Sequence, residues 1–334
     1  MNDEHDRAVG ALYGLALGDA LGMPTQLLSR PSIVARFGTV SGFEPGPPDN
    51  PVSAGMPAGA VTDDTDQALI VARLLTESGG RIDPLRLAKE LLAWEREMKA
   101  KGSLDLLGPS TKTALEAVSR GVPVEAAGKA GATNGAAMRI TPVGIACSPA
   151  PLDRFLDRVA AACQVTHDTS LGIASAAAVA AAVSRGVDGG DLRDVVDAAV
   201  TAAAAGAERG HWVAGADIAT RIAWAVDLVR DQPEQRALDQ VCDLVGTSVA
   251  SQESVPAAFA VLTLAEGDPW RACLLAANLG GDCDTIGAIA GAVGGALRGA
   301  SALPADALAT LRSVNGLDLE PVADALLTLR AGTR

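Results

Sequence analysis

Aromatic residues are nearly missing from this 334-residue chain: they make up 3% of it, against 49% for hydrophobic residues as a whole. A chain this long buries a sizeable core, and that core must be filled by Ala, Val, Leu and Ile rather than by rings. Runs of β-branched residues are scarce and strand signals are almost absent, so sheet architectures are set aside and helix is the dominant state. Basic charge is in deficit. The formal net charge is −13, and without a basic face the chain lacks the footprint for phosphate backbones, which excludes nucleic acid as a partner. Histidine is rare, at three residues, and the five cysteines are scattered, odd in number and without a C-x-x-C pair. That usage excludes a zinc site and points to reduced thiols in a cytoplasmic protein. Long apolar runs are lacking too. "LGIASAAAVAAAV" (171–183) and "TIGAIAGAVGGAL" (285–297) fall short of the ~18 residues of a membrane span and are rich in small residues. They read as buried core helices, and no membrane partner is expected. The N-terminal "MNDEHDRAVG" lacks the basic-then-apolar order of a signal peptide.

What is present is helix after helix. "RAVGALYGLALGDALG" (7–22) is periodic and ends in glycine; helical segments recur near 64–78, 84–100, 109–119, 151–163, 169–185, 191–205, 212–230, 234–246, 254–266, 269–277, 284–298, 304–313 and 318–331. "AVSRG" occurs at 117–121 and at 182–186, each time as an expected helix end with Arg in the last turn and Gly after it. The stretch from about 38 to 60 is rich in Pro and Gly and too long for a simple connection, so it is either functional or mobile. No low-complexity linker divides the chain, and a single all-α domain over residues 1–334 is expected.

Two acidic clusters interrupt this pattern. "VTDDTDQAL" (61–69) places Thr62 to cap a helix, with Asp63 and Asp64 at the positive end of its dipole. "GGDCDTIG" (280–287) places Asp282 and Asp284 at the mouth of a helix that must be buried, where an unpaired carboxylate is costly. Glycines 287, 291 and 295 fall at i, i+4 and i+8 and give that helix one smooth face for close approach. Gathered together, Thr62, Asp63, Asp64, Asp282, Asp284 and Thr285, with Thr65 in reserve, would repel one another unless divalent cations intervened. Hard oxygen ligands suit Mg²⁺, Mn²⁺ or Ca²⁺. Two such cations a few ångströms apart would activate a water or hold sugar hydroxyls. Cys283, between the aspartates, reads as a buried neighbour.

Five motifs, "GLALGDALGMP", "TDDTDQAL", "TNGAAMRITPVG", "THDTSLG" and "NLGGDCDTIGAIAGAVGGALRG", run in order from about residue 8 to 299. In this the chain resembles the ADP-ribosylglycohydrolase (DraG-like) family, and most of all a bacterial branch of it. The resemblance implies an all-α orthogonal helical bundle with a two-metal centre, holding Mg²⁺ or Mn²⁺, and hydrolysis of an N- or O-glycosidic bond at the ribose of ADP-ribose. It implies that Thr62, Asp63, Asp64, Asp282, Asp284 and Thr285 are the metal ligands. It assigns Gly131, Ala132, Thr133, Asn134 and Gly135 to the loop that contacts the diphosphate. Backbone N–H groups there suit a phosphate cradle, although an Asn-Gly turn reads equally well from the residues alone. It also puts His167 near the ribose. A lone histidine is otherwise a structural hydrogen-bonder, which is the reading for His5 and His211. Asp19 is expected to support the site, and the four tryptophans to be packing residues that leave the adenine wall unplaced.

The chain departs from the family at one position. Two residues after Pro24 the family commonly carries a glutamate assigned to the catalytic water or the scissile ribose; here stands Gln26. An amide orients a water but does not take its proton. Asp63, Asp64 and Asp284 join Gln26 as candidate catalytic residues, with Glu44 and Asp49 of the long loop as more distant stand-ins for the base. Three functions follow: a metal-dependent glycosidase on an ADP-ribosylated protein or small molecule; a hydrolase of a smaller ribosylated metabolite or nucleoside; and a non-catalytic ADP-ribose binder. A monomer is expected.

Overall fold

The computed structural model describes residues 3–332, among which there is no sheet, only isolated bridges from Thr133 to Ala250 and from Thr169 to His211. Eighteen α-helices follow one another among these residues. The first half holds α1 (Asp3–Gly22), α2 (Arg30–Phe37), α3 (Asp63–Glu77), α4 (Pro84–Ala100), α5 (Pro109–Ser119), α6 (Val124–Ala127), α7 (Gly135–Met138), α8 (Thr141–Ala146) and α9 (Leu152–His167). The second half holds α10 (Ser170–Val187), α11 (Leu192–Ala207), α12 (Ile218–Val229), α13 (Glu234–Gln240), α14 (Ser251–Leu264), α15 (Pro269–Ala277), α16 (Cys283–Arg298), α17 (Ala305–Asn315) and α18 (Glu320–Ala331). Local signals account for many of the starts. Asp83, Asp191, Asp217 and Asp268 each cap a helix through a side-chain oxygen, and Pro sits in the first turn of α2, α4, α5 and α15.

The centre of the fold is the contact of α1 with α16. The glycine face expected on α16 is there, and α1 carries a matching one. A Cβ on Gly14 would fall 2.1 Å from the Gly291 carbonyl oxygen, and one on Gly18 would fall 1.9 Å from that of Gly287. Gly10 meets Gly295 in the same way. Backbone therefore packs on backbone, at a separation that no side chain permits. Around this pair the core is overwhelmingly Ala, Val, Leu and Ile, as the shortage of rings requires.

Helix α10 is 18 residues long and apolar enough, by length and composition, to cross a membrane, but it is 94% buried inside the protein. It runs straight through the second "AVSRG". Gly186 is not a cap: it is helical, and a Cβ there would meet the Cβ of Ala296 at 2.8 Å. Its glycine serves the α10–α16 contact, and the turn comes at Gly189 (φ +89°). The first "AVSRG" does end a helix, α5, with Gly121 at φ +89°. Helices α2, α6, α7 and α8 have no counterpart in the periodic pattern, being at most eight residues long.

The Pro/Gly-rich stretch is packed rather than loose. Asn50, 1% exposed, donates to the Gln26 carbonyl at 2.8 Å and accepts from the N–H groups of Val52 and Ser53. All five cysteines are free thiols. Trp94 and Trp270 are packing residues, bonded to Asp66 and set edge-on to Phe43 respectively, but Trp212 is 81% exposed. His5 and His211 pair with Asp324 and Asp168 at the surface.

Candidate active site

Two helix starts converge on one cavity of about 320 Å³. The first turn of α3 is held by Asp19 of α1. The Asp19 carboxylate accepts from the Thr62 hydroxyl at 2.7 Å, and also from the backbone N–H and the hydroxyl of Thr65. Burial pushes Asp19 up to about 6 against the pull of those bonds. It orients Thr62 with the hydroxyl hydrogen spent, while Thr62 Oγ1 itself accepts from the Asp64 N–H at 3.5 Å. Asp63 accepts from Gln67 Nε2 at 2.7 Å.

The start of α16 faces this turn. Thr285 Oγ1 donates to Asp64 Oδ2 at 3.2 Å, which joins residues 221 apart in sequence. Asn134 Nδ2 donates to Asp282 Oδ2 at 2.5 Å and to Ser254 Oγ at 2.9 Å. One oxygen each of Asp64 and Asp284 is buried with no hydrogen-bond partner among the described residues. Buried acceptors of this kind are rarely left alone. Burial raises Asp63, Asp64 and Asp284 well above the ordinary carboxylate range, and the mutual repulsion of the cluster adds to it. Burial also raises Asp282, to about 6, against the Asn134 amide.

The cavity wall carries Gln26, Asp63, Asp64, Thr133, Asn134, Gly135, Asp282, Asp284 and Thr285. Gly131 and Ala132 stand behind it. The Gly131 carbonyl accepts from Thr169 Oγ1 at 2.6 Å and the Ala132 carbonyl from Ser251 N–H at 3.1 Å. The backbone N–H groups of Gly131 and Asn134 are taken up by Gly128 and Val249, so two of the five in the expected phosphate cradle are spent inside the fold. His167 is fully buried and reaches the cavity only through Thr133, whose hydroxyl lies 3.0 Å from its Nε2. Glu44 and Asp49 are not on the wall, and Asp49 is held by Arg36 in a two-pronged ion pair at 2.5 and 2.7 Å. Cys283 is a buried neighbour in contact with Thr25.

Asp105 is an acid the sequence did not flag. It lies on the cavity wall, 5% exposed, in the connection between α4 and α5, and burial with the nearby Asp19 and Asp66 pushes it up to about 8. A single aspartate in "KGSLDLLGPS" has no partner in its own segment, so only the fold reveals it. The apolar wall missing from the sequence is also visible: Leu27, Val52, Leu104, Leu106, Leu107, Met138 and Val249. Among the described residues no aromatic and no Lys, Arg or His side chain lines the cavity. A larger cleft of about 1030 Å³, bordered by Arg7, Arg193, Arg230 and Arg298, shares none of these groups.

Among the described residues no three His, Cys, Asp or Glu side chains already close around one point as a metal-ligand group. The donors nevertheless fit hard cations. They are all oxygen, and they include buried carboxylate oxygens without partners among the described residues. Thr62, Asp63, Asp64, Asp282, Asp284 and Thr285 are the residues that would hold such ions.

The family model for ADP-ribosylglycohydrolases matches residues 1–334. The chain belongs to the ADP-ribosylglycohydrolase family. It is 40% identical to the uncharacterized protein YegU of Escherichia coli, over 97% of both chains. It is 25% identical to the ADP-ribosyl-[dinitrogen reductase] glycohydrolase of Rhodospirillum rubrum, again over 97% of both. A solved structure titled "ADP-ribosylglycohydrolase-related protein complex" superposes with a TM-score of 0.69 at 27% identity, covering 98% of this chain and 99% of the other. In this all-α family member the paired acidic helix starts and the Asn134 loop meet at one cavity, with Gln26 on the same wall.

Proposed function

We propose that this cavity hydrolyses the glycosidic bond of an ADP-ribosyl conjugate with the help of two divalent cations, Mg²⁺ or Mn²⁺. The observation that carries the reading is the meeting of Asp64 and Thr285 at 3.2 Å, which brings both acidic helix starts onto one wall with carboxylate oxygens to spare. Bound cations would neutralise the cluster and lower the cost of deprotonating a water. The chain's own groups supply the rest. Asn134 fixes Asp282 through its amide, and Asp19 fixes Thr62, so the ligand oxygens are held in advance. Asp105 is the proton-handling group. Buried on the same wall, it donates a proton as the leaving group departs and recovers one from the attacking water. Gln26, whose Nε2 is buried without a partner among the described residues, orients the water or the ribose.

A second reading, a smaller ribosylated metabolite or nucleoside, draws support from the cavity itself. Its volume lies at the small end for ligand sites, and its wall offers no cationic side chain to a diphosphate and no ring to an adenine. A turnover screen with ADP-ribosyl-arginine, ADP-ribosyl-serine, O-acetyl-ADP-ribose and simple nucleosides, with and without Mg²⁺, separates the two. Release of ADP-ribose that requires Mg²⁺ supports the first. Turnover confined to nucleosides replaces it with the second, and ADP-ribose binding without any turnover leaves a binder.

A further inference from the structure

Arg139 is buried to 1% exposure and forms no ion pair among the described residues. Burial lowers its guanidinium only to about 10, so it stays charged at neutral pH. An isolated buried cation is costly. Its nearest polar contacts are neutral: one N–H donates to Gln67 Oε1 at 3.0 Å, another to Thr166 Oγ1 at 2.6 Å. Each contact passes the polarity onward. Gln67, with its oxygen turned to Arg139, directs its Nε2 hydrogens to Asp63 at 2.7 Å. Thr166, accepting from Arg139, has its own hydrogen left for His167 Nδ1, 2.7 Å away. The neutral imidazole then carries its proton on Nε2 and donates to Thr133 Oγ1 at 3.0 Å. Burial keeps His167 neutral, holding it well below its ordinary value. Thr133 lies on the cavity wall, and its hydroxyl, accepting from behind, has its hydrogen to give in front. Gly135 leaves room for this arrangement: a Cβ there would stand 3.0 Å from His167 Cε1.

We propose that Arg139 is a positioning residue, a donor-only group that fixes the hydrogens of two branches: through Gln67 it presents an N–H to the carboxylate of Asp63, and through Thr166 and His167 it makes Thr133 a hydrogen-bond donor to an oxygen of the substrate's ribosyl or phosphate portion. The substrate end of this inference rests on the function proposed above; the hydrogen-bond chain does not.

The chain is tested by ¹⁵N NMR of histidine-labelled protein, which is easily read because the sequence holds three histidines. The expected spectrum has one neutral imidazole with Nε2 protonated and Nδ1 bare, unchanged between pH 6 and 8. Thr166→Val, which keeps the shape and removes the hydroxyl, shifts that imidazole toward the other tautomer, and Thr166→Ser restores it. In calorimetry with ADP-ribose and Mg²⁺, Thr133→Val and Thr166→Val each weaken binding about tenfold, the scale of one hydrogen bond to a charged or polar oxygen, while Thr166→Ser binds like the native protein. A native His167 protonated on Nδ1, or a tautomer that Thr166→Val leaves unmoved, overturns the proposal. If native protein binds no ADP-ribose, the proposed function fails, and the NMR of native protein and of Arg139→Gln, in which Thr166 loses its charged donor and the Nε2–H tautomer loses its dominance, still decides whether Arg139 sets the chain.

Discussion

Gly22 lies directly against the backbone of Asp284: a Cβ on Gly22 would fall 2.3 Å from the Asp284 Cα. The glycine-on-glycine contact of α1 and α16 thus ends at the acidic cluster, and the packing that builds the core also sets where Asp284 stands. Gly22→Ala should therefore act twice. Overpacking against rigid backbone should cost about 1–3 kcal/mol, and, if the site holds cations as proposed, the displaced Asp284 should blunt the rise in melting temperature expected on adding Mg²⁺. Gly42→Ala, at a position with nothing within 4 Å, should stay within about 0.5 kcal/mol of the native protein. Thermal melts of both variants with and without Mg²⁺ check this; equal behaviour of the two would show that the close approach is not a constraint.

How much of this was legible beforehand follows from which signals are local. The glycines 287, 291 and 295 announced a close-packed face because helical spacing is written in a single segment. The partner face, Gly10 to Gly22, is equally periodic, but nothing in one sequence says that two such faces meet. Asp63, Asp64, Asp282 and Asp284 could be paired because each cluster repeats the pattern of two acids and a threonine before a helix. Asp105 could not, because its role comes entirely from what the fold places beside it. The helix end that the sequence suggests at Gly186 has the same origin: a glycine that admits Ala296 looks, in sequence, like a glycine that turns the chain.

The carboxylates give a pH dependence whose sign can be worked out. Asp19 and Asp282 stand at about 6 and Asp105 at about 8, against an ordinary value of 3.8. A raised carboxylate binds its proton more tightly in the fold than in the unfolded chain. Its stabilising contribution is complete below about pH 4 and is lost as pH rises through the folded value. His167 works the other way, but only below its ordinary 6.5. Asp19 and Asp282 have lost their contribution by about pH 6, whereas Asp105 still titrates above it, so between pH 6.5 and 8 protein in EDTA should melt at progressively lower temperature, and millimolar Mg²⁺ or Mn²⁺ should flatten the slope. A slope equally steep with and without the cation would argue against ions held by these acids.

Asp284→Asn separates repulsion from ligation. Removing one charge from the cluster should make the EDTA-treated variant melt higher than EDTA-treated native protein, because burial and the neighbouring Asp282 both disfavour the charge there. The same change should shrink or abolish the further rise on adding Mg²⁺. The two effects have opposite signs, so a variant merely damaged in folding would not reproduce them. Differential scanning calorimetry of both proteins, in EDTA and in Mg²⁺, is sufficient to tell.

Gln26 decides between enzyme and binder. Hydrolysis of a glycosidic bond passes through an oxocarbenium-like state in which a water must lose its proton, and an amide does not accept it. Asp105 places a second carboxyl on the same wall, so the base need not be residue 26. Gln26→Glu should then change kcat by less than about tenfold, or about 1.4 kcal/mol of barrier, while Asp105→Asn should lower it by roughly the 10²–10⁴-fold that a positioned acid–base group contributes. The pairing matters, since a glutamate at residue 26 ought to recover part of the loss when added to Asp105→Asn. If native protein binds ADP-ribose, hydrolyses none of the conjugates and gains turnover only as Gln26→Glu, the site has lost its base and the chain is a binder.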